Sequence, residues 1–145
     1  MPLFLRSFKA GAAYFGLVFG AGFLLGCIRV PFLVPRLGER ISELIEMPVE
    51  FVVIVFAARF VVNRFAVPVT TSIRLGVGLI ALALSLIAEL LLAVALAGRS
   101  VFDYIASRDP VSGSVYLAML LVFALFPLLL AHTRAIRASG KAWQR

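Results

Sequence analysis

Four apolar runs, separated by clusters of charge, Gly and Pro, set the plan of the chain. Ala10 to Ile28 is uncharged and bounded by Lys9 and Arg29; Met47 to Ala66 carries Glu50, Arg59, Asn63 and Arg64. Leu75 to Gly98 contains a single ionisable residue, Glu89, and Pro110 to Ala131 contains none. Each run is close to the roughly 20 residues that a helix needs to cross hydrocarbon. Backbone groups in lipid must be paired internally, and without an alternating barrel pattern the pairing that remains is helical. The pattern therefore predicts an all-α integral membrane protein in one membrane domain over residues 1–145. Its core is a four-transmembrane-helix bundle with spans at about 10–28, 47–66, 75–98 and 110–131. Pro31 and Pro35 are expected to stop the first helix and Pro68 follows the second, while Asp109-Pro110 reads as an N-cap with proline at the first helical position.

Between the first two runs the period changes the picture. Leu37, Ile41, Leu44 and Ile45 recur at helical spacing, and Glu39, Glu43, Glu46 and Glu50 follow at steps of four, three and four on one stripe. This predicts an amphipathic interfacial elbow at about 36–47, at the outer interface, bending at Pro48 into the second span. Its charge cluster comprises Arg29, Arg36 and Arg40 with Glu39, Glu43, Glu46 and Glu50. Such a cluster is expected to neutralise itself in salt bridges, because no Ca²⁺-loop pattern accompanies the carboxylates.

Composition supports the membrane reading. Hydrophobic residues make up 63% of the chain and charged residues 14%, with a mean hydropathy of +1.09, whereas soluble domains sit near 45–50% apolar. A small soluble globule cannot hide that much apolar surface, and a disordered chain is poor in it. The net charge of +7 and pI near 10.8 reflect topology. With four spans, Arg6, Lys9, Arg64, Arg74, Arg134, Arg137, Lys141 and Arg145 share one side without an acid. Arg29, Arg36, Arg40, Arg99 and Arg108 share the other with Glu39, Glu43, Glu46, Asp103 and Asp109, so the sides carry +8 and 5 − 5 = 0. The positive-inside rule then places both termini, including a basic tail at 132–145, in the cytoplasm of a bacterial-type inner membrane. The basic residues form no single patch interleaved with aromatics, so no nucleic-acid partner is expected. Leu24-Leu25-Gly26-Cys27 after Arg6 and Lys9 resembles a lipoprotein cleavage box. The long apolar run and the unusual start at Ile28-Arg29-Val30-Pro31 favour instead a small apolar Cys27 at a helix end.

Candidate chemistry is sparse. Glu89 lies nine residues before Gly98, about 13 Å down the helix, and Arg59 lies about 16 Å below Pro48. A mid-membrane carboxylate is expensive unless paired or facing a polar cavity, so an Arg59–Glu89 pair across the second and third helices is expected. It would act either as a staple fixing register or as a proton or cation relay. Gly16/Gly20 and Gly22/Gly26 form two small-xxx-small pairs on different faces of the first helix, suited to close helix packing. No nucleotide loop, nucleophile elbow, zinc helix or Cys/His cluster occurs, and lone Cys27 and His132 cannot build a metal centre. No catalytic residue, metal or cofactor is therefore predicted. Thirteen Phe and Trp143 suit lipid-facing bulk and interface anchoring. The expected function is that of a small non-enzymatic multipass protein, an accessory, assembly or regulatory component of a larger membrane complex. The alternative is an oligomeric proton- or cation-coupled small-solute transporter using Glu89. Expected partners are the bilayer and other membrane subunits or further copies of the chain.

Overall fold

The computed structural model of the chain describes residues 2–98 and 100–142, and every regular element among them is helical. Arg99, Trp143 and Arg145 lie outside the described residues. Three helical stretches are long and apolar enough to cross a membrane, Leu3–Arg64, Thr71–Ala95 and Pro110–Thr133, which suggests a membrane protein.

The first stretch, 62 residues long, would extend about 93 Å as one rod, three times the hydrocarbon thickness. It folds back on itself instead. Helix α1 (Leu3–Ile28) passes through a π-helical turn at Arg29–Leu33 into α2 (Val34–Arg64), which packs against α1. Pro31 sits inside the π turn and Pro35 in the first turn of α2, so neither proline stops the helix as expected from the sequence. The non-helical position within α2 is Gly38, at φ 78° and ψ 166°, a conformation glycine reaches without a Cβ penalty. The expected elbow at 36–47 is thus the opening of α2, and its break falls at Gly38 rather than at Pro48. Its polarity is inverted for an interfacial helix: Leu37, Ile41 and Ile45 are exposed, while Glu43 is buried and Glu46 and Glu50 are half-buried.

Helix α3 (Thr71–Ala97) ends on Gly98 in the left-handed conformation, the usual glycine stop. A short helix unforeseen from the sequence, α4 (Val101–Ala106), follows, with the Ser100 hydroxyl accepting from the Asp103 amide at 3.1 Å. Asp109 caps α5 (Pro110–Ala142), accepting from the Val111 and Ser112 amides at 3.0 and 2.9 Å. Helix α5 runs past the expected end at Ala131 through residues read as a tail.

The four long helices form a ring in which α1 touches α2 and α3, and α5 touches α2 and α3. Among the described residues the backbones of α2 and α3 do not approach closely, nor do those of α1 and α5, so each pair occupies a diagonal. The closest approaches are made at glycine. A Cβ on Gly78 of α3 would lie 1.8 Å from the Ala124 carbonyl oxygen of α5, and one on Gly11 of α1 would lie 2.8 Å from Ile80 Cγ2 of α3. Gly22 faces the Glu50 carboxylate at 3.5 Å, but Gly16, Gly20 and Gly26 have nothing within 4 Å. Only one of the four packing glycines singled out from the sequence therefore works inside the bundle.

At the centre, proline creates a demand that tyrosine meets. Pro127 has no N–H, so the Phe123 carbonyl four residues earlier in α5 loses its helical donor. The Tyr14 hydroxyl of α1 donates to that oxygen at 2.9 Å, and its ring lies 4.6 Å from the Phe123 ring, centroid to centroid. Tyr14→Phe keeps the packing and removes the donor, so it is expected to cost about 1–3 kcal/mol as an unsatisfied buried acceptor. A denaturant titration in detergent reads that loss, and an unchanged midpoint would refute the assignment. Outside the ring, Phe4, Phe56, Phe60 and Phe102 are exposed along with many Leu, Ile and Val, far more apolar surface than water tolerates on a monomer.

Candidate functional site

One end of the bundle holds most of the described acids. The acidic stripe of α2 turns inward because the apolar face of the same helix turns outward, and Arg29 at the start of the π turn meets it. Arg29 Nη1 lies 3.3 Å from Glu43 Oε1 and its Nε lies 3.2 Å from Glu46 Oε2. Glu50 is one turn deeper, in the space that the missing side chain of Gly22 leaves, and its buried Oε2 has no hydrogen-bond partner. Across the ring, the Tyr116 hydroxyl of α5 donates to the Glu89 carboxylate of α3. Arg108, between α4 and α5, stacks on two rings: its guanidinium carbon is 4.1 Å from the Tyr116 centroid and 5.2 Å from that of Tyr104. It also donates to the Tyr104 hydroxyl at 2.7 Å.

These groups surround a cavity of about 300 Å³. Its polar lining is Arg29, Glu43, Glu46, Glu50, Ser85, Glu89, Arg108 and Tyr116, and its floor and walls include Val18, Phe19, Ile54, Met119 and Phe123. Charged groups inside an apolar bundle that face one another across a cavity make this the candidate functional site. Among the described residues, no group of three or more His, Cys, Asp or Glu is placed to hold a metal ion.

The two ends are tied differently. At the cavity end, Arg40 grips Asp109 through Nη2 at 2.7 Å and Nε at 3.0 Å, joining α2 to the start of α5. The Arg40 hydrogen bonds, with the Ser112 and Val111 amides, hold the Asp109 carboxyl well below the usual carboxylate range. At the opposite end, Arg6 donates to the carbonyls of Phe65 and Ala66 at 2.9 and 2.8 Å. Arg74 is fully buried there and donates to Pro68, Val67 and Pro127 carbonyls at 3.1, 3.4 and 3.4 Å. Two guanidinium groups thereby close the bundle over the α2–α3 loop.

The sequence-predicted residues distribute unevenly over this site. Glu43, Glu46, Glu50, Glu89 and Arg29 are brought together. Arg40 leaves the elbow carboxylates for Asp109, and Arg36 and Glu39 are exposed. The expected pairing of Arg59 with Glu89 is not what the structure brings about: Glu89 is engaged by Tyr116, and Arg59 is exposed on α2. The reason is that Arg59 lies on the outward face of α2; side chains do bridge the other diagonal, from Tyr14 to Phe123. Arg59 lies five residues from the end of α2 at Arg64, about 8 Å, within reach of the interface for a long side chain. Tyr116, Tyr104 and Arg108 were not foreseen. The signal available was an arginine directly before the Asp109-Pro110 cap, at the same end as the acidic stripe. No family model, curated protein or solved structure matches the chain.

Proposed function

We propose that the chain is a four-span, non-enzymatic membrane protein that binds a small cationic solute in this cavity and carries it in a proton-coupled cycle. The observation that carries the reading is the cavity itself, which reaches Glu89 and leaves a buried Glu50 oxygen unpartnered. A carboxyl that faces a cavity and is held by a tyrosine hydroxyl can exchange its proton for a cation, and the release of Tyr116 accompanies that exchange. The excess of Lys and Arg on the side opposite the cavity supports cytoplasmic termini in a bacterial-type inner membrane. A pH-sensitive dye trapped in vesicles reconstituted with the chain tests the cycle. Small ammonium solutes are expected to drive proton movement, and Glu89→Gln is expected to lower it at least about tenfold, the loss of a group acting in proton transfer. Equal flux through Glu89→Gln in folded protein would end the reading.

A second reading, an accessory or assembly subunit, is favoured by a different observation. Gly16 and Gly20, one turn apart, present open surface on α1, the kind of face against which a helix of another subunit packs. Recovery of a stoichiometric partner on mild-detergent purification would support it, and the same surface serves a homo-oligomeric carrier.

A further inference from the structure

Two cavities meet at one wall, and the central one carries more of the polar groups. Beside the central cavity, a groove of about 530 Å³ runs between α3, α4 and α5, lined by apolar side chains such as Leu86, Leu90, Ile105 and Leu117. It lies on the outward flank, where Ile105 and Leu117 are 65% and 62% exposed. Glu89, Arg108, Tyr116 and Leu120 line both spaces. The partition is therefore the Tyr116–Glu89 hydrogen bond with Arg108 stacked on Tyr116. The side chain of Leu120 completes it.

The chemistry of the two halves differs in a way that selects a ligand. The central cavity presents four carboxyl groups (Glu43, Glu46, Glu50, Glu89) and two guanidinium groups (Arg29, Arg108), a formal balance of 2 − 4 = −2. Glu46 Oε2 and Glu50 Oε2 are both buried without a hydrogen bond, but Glu46 has the Arg29 guanidinium beside it, and Tyr116 donates to Glu89, which leaves the Glu50 oxygen to a cation. The groove offers mostly hydrocarbon, with Tyr104, Asp109 and Ser114 also in its lining. A hydrophilic cation uses the first half alone and a neutral alkane the second alone.

We propose that groove and cavity are the tail and head halves of one site for a single-chain amphiphile with a cationic amine head, taken from the bilayer between α3 and α5. The proposal rests on the solute-binding reading above and names its substrate class. The head passes the Tyr116 partition to Glu50 while the chain remains along Leu86, Ile105 and Leu117.

The test uses the full chain in phosphatidylcholine nanodiscs, with empty discs as the partition background. Dodecyltrimethylammonium is expected to bind saturably and at least about tenfold tighter than tetramethylammonium, a gain that burial of roughly two methylenes already supplies. Dodecyl sulfate is expected not to compete. Leu117→Trp and, separately, Ile105→Trp fill the groove from exposed positions. Each should weaken dodecyltrimethylammonium by about tenfold and leave tetramethylammonium unchanged, whereas Glu50→Gln should weaken both cations. Binding of tetramethylammonium with no gain from the alkyl chain would overturn this inference and leave the solute-binding reading standing. Equal competition by dodecyl sulfate, or indifference to both tryptophan variants, would also overturn it. Failure of every cation to bind would remove both.

Discussion

Gly78→Ala is expected to abolish stable folding. The added methyl would lie 1.8 Å from the Ala124 carbonyl oxygen and 2.8 Å from its carbon, and both are backbone atoms that no rotamer change can clear. Relief requires α3 and α5 to separate, which would loosen the contact supporting Phe123 and the Tyr14 hydrogen bond. Overpacking in a well-packed core costs about 1–3 kcal/mol where neighbours can yield; here the expected loss is roughly 3 kcal/mol or more, because the neighbour is main chain. Gly16→Ala is the matched control, since nothing lies within 4 Å of its Cβ position, and it should leave the monomer unchanged. Detergent-solubilised yield and denaturation midpoint separate the two; equal behaviour would mean the α3–α5 contact is looser than the structure has it.

Arg74→Leu is expected to be the second severe change. Arg74 is fully buried, and its planar fork reaches carbonyls on two sides of the bundle, Val67 and Pro68 in the loop and Pro127 in α5. Leucine fills part of the volume but leaves those carbonyls without these donors, at about 1–3 kcal/mol for each buried acceptor left unsatisfied. Arg74→Lys should recover only part of it, because an ammonium on a flexible stem cannot span the loop and α5 at once. The same denaturation measurement ranks the three proteins. Full recovery with lysine would show that the charge matters and the fork does not.

Much of the helical plan is legible in the sequence because lipid leaves so few options for an apolar run. The last three runs lie where α2, α3 and α5 form, and the Asp109-Pro110 cap begins its helix as the residues imply. Boundaries drift wherever polar residues continue a helix beyond its apolar part, as Arg6 and Lys9 do in α1 and Arg134 to Lys141 do in α5. Neighbour relations are a different matter. Depth along a helix follows from counting residues, and Arg59 and Glu89 agree in depth by that count. Whether two helices face each other depends on how the ring closes, which periodicity does not encode. The acidic stripe is legible as a stripe, but its inward direction is not, because Leu37, Ile41 and Ile45 turn outward rather than into the core. Tyr14 was readable too: a buried tyrosine needs an acceptor, and a mid-run proline such as Pro127 supplies one four residues upstream.

The ring order also constrains how the protein is made. As the chain emerges from the ribosome, α1 and α2 can pair at once, and α3 can then dock on α1. The other flank of α2 has to wait for α5, the last long helix to appear, because α3 settles on the diagonal. Until α5 arrives, the side of α2 that it will cover has no covering helix, the partner carbonyl for Tyr14 has not been synthesised, and Arg40 has no Asp109 to grip. Until then α1, α2 and α3 stand without the helix that covers the second flank of α2, and a truncation before Pro110 would leave that flank open.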